Sequence, residues 1–215
     1  MRSLVALTFA ALALCANAFG HAGGVDKNGC HFQKSTSKRH CHEKPATDKT
    51  GPVCNQKAPT PGDENVLYGR VISVTDGDTF KAKIQGAVMN FRMADIDAPE
   101  TDQPYGREAR SMLTAALEGK DVVMLRVDSD TYGRFVVHAW IANLHVNREL
   151  VAQGAAWFYT EYARDNCLYE VENEARDAKR GLWALPLEKR IEPWVWRQRK
   201  RAAAGAQHHK NSPTK

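Results

Sequence analysis

Acidic and basic side chains that can act together occur in four short segments of this 215-residue chain. The segments are DGDT at residues 76–79, RMADIDAPE at 92–100, YGREA at 105–109 and DTYGR at 130–134. Short carboxylates at strand ends form an oxygen-rich pocket for a hard cation such as Ca²⁺ or Mg²⁺. A Glu beside that pocket can accept a proton from water, and two Arg can clamp a phosphoryl group and stabilise its developing charge. Together, these groups predict a site that hydrolyses phosphodiesters.

Each of these segments has a simpler interpretation when it is taken alone. An Asp-Gly-Asp sequence is most often a solvated turn, and an Asp-Ala-Pro-Glu sequence is an ordinary start of a helix or loop. A single arginine such as Arg134 is more often a surface residue. Only the joint occurrence of the segments, in this order, favours catalysis. The sequence contains no Ser/His/Asp arrangement or glycine-rich phosphate loop that would predict a different chemistry.

Hydrophobic periodicity over residues 65–186 predicts the domain that positions these segments. Five short strands, clustered mainly before the helices, favour a small α+β barrel that is mainly β over a parallel βαβ sheet. Three amphipathic runs predict about three flanking helices. The predicted strands are 66–74, 80–84, 88–93, 122–127 and 135–141, and the predicted helices are 104–117, 146–153 and 168–180.

The first 18 residues have the three-part pattern of a secretory signal peptide. Arg2 precedes an apolar run from Leu4 to Ala16, and Ala16-Asn17-Ala18 is a small-x-small cleavage signal. The run is shorter than the roughly 18–20 residues of a membrane-spanning helix, so we predict no membrane anchor. A buried N-terminal helix is the alternative, but nothing caps this segment. We therefore expect export to the periplasm or the medium.

Export changes the interpretation of the four cysteines that follow the signal peptide, Cys30, Cys41, Cys54 and Cys167. An even number of cysteines in an oxidising compartment favours disulfides. Four cysteines allow three pairings, and the sequence alone does not decide among them. We favour Cys30–Cys41 with Cys54–Cys167, because the first pair closes a small loop and the second ties the N-terminal region to the main domain.

A Cys/His-rich segment at residues 19–54 precedes a linker at residues 55–64. Its clustered side chains are His21, Cys30, His31, His40, Cys41 and His42. The segment cannot build a core alone, so order there requires a disulfide or a metal. A Zn²⁺ or copper site and a disulfide hairpin with solvated histidines are both open, and the spacing, which departs from C-x₂-C zinc patterns, favours the hairpin. The segment resembles the small secreted YHYH module, whose function is not well defined.

Residues 66–183 resemble the staphylococcal nuclease (thermonuclease) family. The resemblance is carried by VISVTDGDTFKAKI, FRMADIDAPE, YGREA, DTYGRFVVHAWI, VNRELVAQGAAW and EARDAKRGLW, which follow the order of the family. It covers over half the chain. It implies an OB-fold barrel with flanking helices and Ca²⁺-dependent cleavage of DNA and RNA.

The resemblance also implies the catalytic residues, since Arg92, Glu100 and Arg134 match the catalytic trio of the family. In the usual scheme Glu100 activates a water that attacks phosphorus in line. Ca²⁺ and Arg92 neutralise the developing charge, and Arg134 adds a further contact to the transition state. The 5′ oxygen leaves, so that the products carry 3′-phosphate ends.

Asp78 and Asp97 match the carboxylate calcium ligands of the family. Ala98 stands where thermonuclease has Thr, but this position binds calcium through its backbone carbonyl, so the ligand survives the change. Thr131 replaces a Lys near the nucleotide pocket, which weakens the expected contact with a terminal phosphate. The aromatic residues expected to line that pocket by stacking or hydroxyl bonds are Tyr132, Tyr159 and Tyr162. Ordinary surface packing is the alternative for Tyr159 and Tyr162.

Two rival functions follow from other parts of the sequence. One is a nucleic-acid-binding OB module without chemistry, and the other is a secreted metal-binding protein centred on residues 21–42. The first rival has no need of the five charged residues of the expected site, and their joint presence argues against it. We take a monomer as the default state.

Composition and charge limit the class of protein and its partners. With 43% hydrophobic and 26% charged residues, the chain is neither wholly disordered nor collagen-like. The net charge of +5 divides into +3 over residues 1–64, −4 over 65–186 and +6 over 187–215. We therefore expect the basic tail at 187–215, disordered after Ala202, to contact the nucleic-acid backbone.

Overall fold

A computed structural model describes residues 30–33, 38–41, 55–60, 62–163 and 166–210. The strands are β1 Cys30–Gln33, β2 Lys38–Cys41, β3 Val66–Val74, β4 Thr79–Ile84, β5 Ala87–Met93, β6 Ile96–Asp97, β7 Asp121–Ser129, β8 Phe135–Ile141, β9 Leu144–His145 and β10 Trp157–Phe158. The helices are α1 Gly106–Leu117, α2 Val146–Ala152, α3 Cys167–Asp177 and α4 Pro193–Lys210.

Five of these strands form a closed barrel. Their order is β5-β4-β3-β7-β8, and a parallel pairing of β5 with β8 closes it, whereas the other neighbours are antiparallel. β9 continues the sheet beyond β8, and β6 pairs with β10 in a separate ribbon. The predicted α+β fold, mainly β, with a five-stranded OB-fold barrel is confirmed.

The barrel encloses a core that the sequence alternation specifies. Along β4, Phe80 and Ala82 are buried whereas Lys81 and Lys83 are exposed, because successive side chains of a strand point to opposite faces. The ring of Phe80 stacks on Phe91 with the centroids 5.3 Å apart. Burial of a Phe side chain contributes roughly 1.5–3 kcal/mol, so the inward face of β4 and β5 anchors the sheet.

Three helices flank the barrel, as predicted, with shifted ends. Helix α1 buries Ala109, Leu113 and Leu117 against the barrel. It begins two residues later than expected, because Tyr105 has a left-handed backbone with φ of 72°. Helix α3 ends three residues earlier than expected, and Lys179 beyond it also has positive φ, at 50°. These left-handed residues interrupt helical hydrogen bonding at points that hydrophobic periodicity does not reveal.

The C-terminal segment differs from the expectation of a tail that is disordered after Ala202. Helix α4 continues to Lys210. Alanine has the highest helix propensity, and the Ala-rich stretch at 202–204 extends the helix past the basic run. Within the part of the chain that the structure describes, no helix is both long and apolar enough to span a membrane.

The Cys/His-rich segment contains a two-stranded antiparallel hairpin made of β1 and β2. The Cα atoms of Cys30 and Cys41 are register partners, and so are those of His31 and His40. The features that lie outside the described residues are the signal peptide at 1–18, His21, His42 and Cys54.

Candidate active site

The barrel closure brings three of the sequence segments to one edge of the sheet. Thr79 is the register partner of Arg92, so Asp78, at the end of the turn before β4, lies beside that arginine. Arg92 Nη1 lies 2.9 Å from Asp78 Oδ2, and Arg92 Nη2 lies 2.9 Å from Asp97 Oδ1. One planar guanidinium therefore bridges the two carboxylates that were predicted as metal ligands.

Asp78 also joins the two loops that carry the carboxylates. Its Oδ2 accepts a hydrogen bond of 2.8 Å from the backbone N–H of Ala98, and its Oδ1 accepts one of 3.0 Å from Thr79 Oγ1. Gly77 permits this approach, since a Cβ there would lie 2.5 Å from the Cβ of Ala98. The spacing of Asp78 and Asp97 is thus set by backbone contacts as well as by Arg92.

Glu100 is held at the mouth of the same site by the loop that leads into α1. Its N–H donates to Gln103 Oε1 at 3.1 Å. Its carbonyl oxygen lies so close to Gly106 that a Cβ on this glycine would be only 1.8 Å away. The Glu100 side chain remains one-third exposed, which leaves it accessible to water.

Arg134 reaches the site through a short chain of hydrogen bonds. Its Nε donates to Asp130 Oδ2 at 2.7 Å, which fixes the side chain on its own turn. Its Nη1 donates to Thr79 Oγ1 at 3.1 Å, and that hydroxyl in turn donates to Asp78. All three residues predicted to be catalytic therefore lie near the carboxylates of Asp78 and Asp97.

Burial shifts the pKa values of several charged groups in the site. Asp97 is buried, and desolvation, together with the nearby charge of Asp78, raises its pKa to about 6 against the opposing effect of two arginines. Burial and the charge of Asp78 likewise raise the pKa of Asp76 to about 6. For Arg92, burial lowers the pKa, but the charges of Asp78 and Asp97 outweigh it and raise the pKa overall. Anionic groups therefore dominate the site, and an additional cation would relieve their repulsion.

The donor atoms at the site fit a hard cation. Among the described residues, no group of three or more His, Cys, Asp or Glu side chains could hold a metal ion by itself. The available ligands are the carboxylates of Asp78 and Asp97 and the backbone carbonyl of Ala98, all of them oxygen donors. Ca²⁺ accepts backbone carbonyls and waters beside carboxylates, whereas Zn²⁺ prefers nitrogen and sulfur. The excess of buried negative charge favours an oxygen-coordinated divalent ion.

The predicted tyrosines are divided between two places. Tyr132 is 84% exposed, and its ring lies 5.6 Å from the guanidinium carbon of Arg134. Tyr159 and Tyr162 lie together, with centroids 4.9 Å apart. Burial, and then the charge of Asp97, raise the pKa of Tyr159 to about 12.

Two residues of the site were missed by the sequence reasoning, Arg197 and Trp194 of α4. Arg197 Nη2 lies 2.7 Å from Asp97 Oδ2, and its Nη1 lies 2.8 Å from Glu100 Oε1. Trp194 stacks on Tyr159. The sequence PWVWR at residues 193–197 could have indicated a packed helix here. Pro is common in the first turn of a helix, and two Trp are unusual in a solvated tail.

Two tryptophans outside the site belong to the buried core. Trp140 and Trp157 are buried. Trp157 packs edge-on against Trp183 at 4.4 Å, and the guanidinium carbon of Arg176 lies 4.0 Å from the centroid of the Trp183 ring. This second aromatic cluster supports the ribbon of β6 and β10, and hence Asp97 at the end of β6.

Known proteins are similar to the part of the chain that contains this site. Residues 90–185 match the family described as staphylococcal nuclease homologue. An uncharacterized endonuclease of Escherichia coli O157:H7 is 39% identical over 137 residues, which are 62% of this chain and 87% of the relative. A micrococcal nuclease of Shigella flexneri is 36% identical over 60% of this chain and 80% of its own length.

A longer plant protein contains a similar domain. A probable staphylococcal-like nuclease, CAN2, of Oryza sativa subsp. japonica is 35% identical over 134 residues, which are 62% of this chain but 34% of the relative. The family match, the relatives and the OB-fold barrel agree with one another. The chain belongs to the staphylococcal nuclease family, and it is a nuclease of the hydrolase class.

Proposed function

We propose that the protein is an exported, calcium-dependent nuclease that hydrolyses phosphodiester bonds within DNA and RNA and leaves 3′-phosphate ends. The observation that carries this proposal is the bridge from Arg92 to Asp78 and Asp97, with Glu100 and Arg134 beside it. This arrangement brings together two carboxylates that can hold a metal ion, a proton acceptor and two arginines that can bind phosphate.

Ca²⁺ would be held by Asp78, Asp97 and the carbonyl oxygen of Ala98, and when bound it supplies Lewis-acid stabilisation of the phosphoryl oxygens. Glu100 accepts a proton from the water that attacks phosphorus. The guanidinium groups of Arg92 and Arg134 bind the non-bridging oxygens more strongly as charge develops on them. The bond to the 5′ oxygen then breaks, and the phosphate stays on the 3′ oxygen.

Aromatic residues beside the site support a role in holding the nucleotide. Tyr159 and Tyr162 form a pair of mutually tilted rings near Asp97, and we propose that they contact the base or sugar of the substrate. Tyr132, which covers Arg134, contacts the substrate on the other side. The exposed Arg199 and Arg201 of α4 contact the nucleic-acid backbone.

The N-terminal region supports export and disulfide formation. The first 18 residues have the signal-peptide pattern, which directs the chain to the periplasm or the medium. The register of β1 with β2 places the Cα atoms of Cys30 and Cys41 opposite each other, at a separation that a disulfide can span. We propose that the second pair joins Cys54 and Cys167, and that the enzyme acts as a monomer.

Plasmid degradation by the purified protein tests the proposal. EDTA should abolish cleavage and Ca²⁺ should restore it. Glu100→Gln should lower turnover by about 10²–10⁴-fold, because an amide does not accept the proton of the attacking water. Glu108→Gln, an exposed position of α1, is the matched control and should retain wild-type turnover.

The same variants separate the alternatives. Equal turnover of Glu100→Gln and Glu108→Gln would contradict the proposed role of Glu100. Cleavage that resists EDTA would contradict the calcium dependence. End-labelling of the products distinguishes 3′-phosphate from 5′-phosphate termini, and circular substrate separates internal cleavage from cleavage at ends.

A further inference from the structure

Helix α4 places a second arginine on the carboxylates of the site. Arg197 Nη2 lies 2.7 Å from Asp97 Oδ2, and Arg197 Nη1 donates to Asp97 Oδ1 at 3.1 Å and to Glu100 Oε1 at 2.8 Å. Both oxygens of Asp97 are therefore engaged by Arg197, and Oδ1 is shared with Arg92. Arg197 therefore contacts both Asp97, an expected metal ligand, and Glu100, the expected proton acceptor.

The same helix covers the aromatic wall beside the site. The ring of Trp194 stacks on Tyr159 with centroids 5.1 Å apart and planes 6° from parallel. Its edge also contacts Trp157, at 6.1 Å between centroids. Trp194 therefore lies on the face of Tyr159 in the way that a nucleobase would stack on it.

The segment that follows Glu100 anchors the outer side of α4. Lys200 Nζ lies 2.6 Å from Asp102 Oδ2, and Trp196 Nε1 donates to Asp102 Oδ1 at 3.3 Å. Just before the helix, the carbonyl of Ile191 accepts a hydrogen bond from Gln103 Nε2. The Lys200–Asp102 pair is more than half exposed on both sides, so it is an anchor that salt and competing ligands can weaken.

These contacts are incompatible with the working site that the proposed function requires. Arg92 contacts only Oδ1 of Asp97 and would leave Oδ2 open to a divalent cation, whereas Arg197 engages both oxygens. The Glu100 oxygen Oε1, which would accept a hydrogen bond from the attacking water, instead accepts one from Arg197. Trp194 blocks one face of a tyrosine expected to bind the substrate.

We infer that α4 is an autoinhibitory strap, in which Arg197 and Trp194 occupy the cation and base positions until Ca²⁺ and nucleic acid displace them. This inference rests on the proposed calcium-dependent nuclease. The strap keeps an exported nuclease inactive where calcium or nucleic acid is scarce, and it makes activation depend on both together.

Calcium affinity of the full-length protein tests the strap without reference to cleavage. Titration calorimetry in the absence of nucleic acid would compare wild type with Arg197→Gln. The variant removes the cation that competes for Asp97, so its Kd for Ca²⁺ should fall by about tenfold or more. Arg199→Gln removes the same charge from an exposed position on the same helix and should leave this Kd unchanged.

A variant at the outer anchor tests the strap without altering the carboxylates of the site. Asp102→Asn removes the partner of Lys200, and the calcium concentration that gives half-maximal cleavage should fall, though less than in Arg197→Gln. Hydrogen exchange of the α4 amides in wild type should rise when Ca²⁺ and a non-hydrolysable phosphorothioate oligonucleotide are added together.

The outcomes separate failure of the strap from failure of the proposed function. Wild-type protein that binds Ca²⁺ and cleaves DNA, while Arg197→Gln binds Ca²⁺ no more tightly, would overturn the strap alone. Reduced turnover of Arg197→Gln at saturating Ca²⁺, with unchanged calcium affinity, would make Arg197 part of the working site and would also overturn the strap. Wild-type protein that neither binds Ca²⁺ nor cleaves DNA would overturn the proposed function, and the strap with it.

Discussion

The barrel and helix α4 each bring an arginine to Asp97, but the two arginines are held in different ways. Arg92 lies on β5, where its register with Thr79 is part of the closed barrel, and its side chain is 14% exposed. Arg197 lies on a helix held by an exposed ion pair and by ring stacking, and its side chain is 34% exposed. Arg92 is therefore held by the barrel itself. Arg197 is held by a helix packed on the outside of the barrel, and displacing it from Asp97 costs less free energy.

This difference predicts opposite effects of substituting the two arginines. Loss of Arg197 should strengthen Ca²⁺ binding, whereas substitution of Arg92 should lower turnover and have the larger effect. In Arg92→Lys, a single ammonium replaces a guanidinium that bridges Asp78 and Asp97, so turnover should fall by about 10²–10³-fold. Initial rates of DNA cleavage at saturating Ca²⁺ would measure it. Arg70→Lys is the control, because Arg70 forms only an exposed pair with Asp121. A loss in Arg92→Lys no greater than in this control would remove the distinction between the two arginines.

A smaller effect should follow from moving Glu100 without changing its chemistry. Gly106→Ala places a Cβ against the Glu100 carbonyl, and the loop must shift to relieve this contact. A displacement of about 1 Å at a reacting group costs on the order of 10²-fold in rate. Gly205→Ala in α4 is the matched control, since nothing lies within 4 Å of the added carbon.

Cleavage assays and thermal unfolding of both glycine variants would separate misplacement from unfolding. We expect Gly106→Ala to lose activity in the folded protein and Gly205→Ala to retain it. Wild-type rates in Gly106→Ala would show that the approach of the two backbones does not position Glu100.

Burial is the largest influence on the pKa of His145, which has no ion pair of the kind that Arg92 and Arg197 form with Asp97. Burial, and then the charge of Arg148, lower the pKa of His145 to about 4, and its Nδ1 has no hydrogen-bond partner among the described residues. The unfolded chain therefore binds a proton more readily between pH 6.5 and 4. Stability is full above pH 6.5 and is lost as the pH falls through this range, by about 2 kcal/mol at pH 5.

Urea unfolding at pH 7.5 and pH 5 would measure this loss, with His145→Phe as the reference protein. The raised pKa values of Asp76 and Asp97 act in the opposite sense, since protonation stabilises the folded state as the pH falls through about 6. Both proteins share that contribution, so the difference between them isolates His145. Identical pH dependence in the two proteins would contradict the lowered pKa.

The smallest effect concerns the exposed arginines on the outer part of α4. In a Glu100→Gln background that binds without cutting, replacing both Arg199 and Arg201 by Gln should weaken DNA binding. The slope of log K against log salt should become shallower by about 1–2, because two fewer counterion-releasing contacts form. Equal slopes, measured by fluorescence anisotropy, would show that this part of the helix is only a solvated surface.

The sequence predicted the strands of the barrel because inward and outward side chains alternate along them. Phe80 and Ala82 face inward and Lys81 and Lys83 outward, as period-2 alternation requires. The closeness of Arg92 and Glu100 to Asp97 was also predictable, because all three lie in one short segment, residues 92–100. The start of α1 was less predictable, because a left-handed Tyr105 leaves no signal in hydrophobic periodicity.

The C-terminal segment shows what only the tertiary structure decided. By itself the sequence determined the barrel, the carboxylate-rich edge and the basic character of the last residues, since local alternation, turns and charge encode them. The contact of Arg197 with Asp97 joins groups that are a hundred residues apart. Such a contact depends on how a helix docks on a completed barrel, because no local pattern specifies which carboxylate a basic side chain will meet.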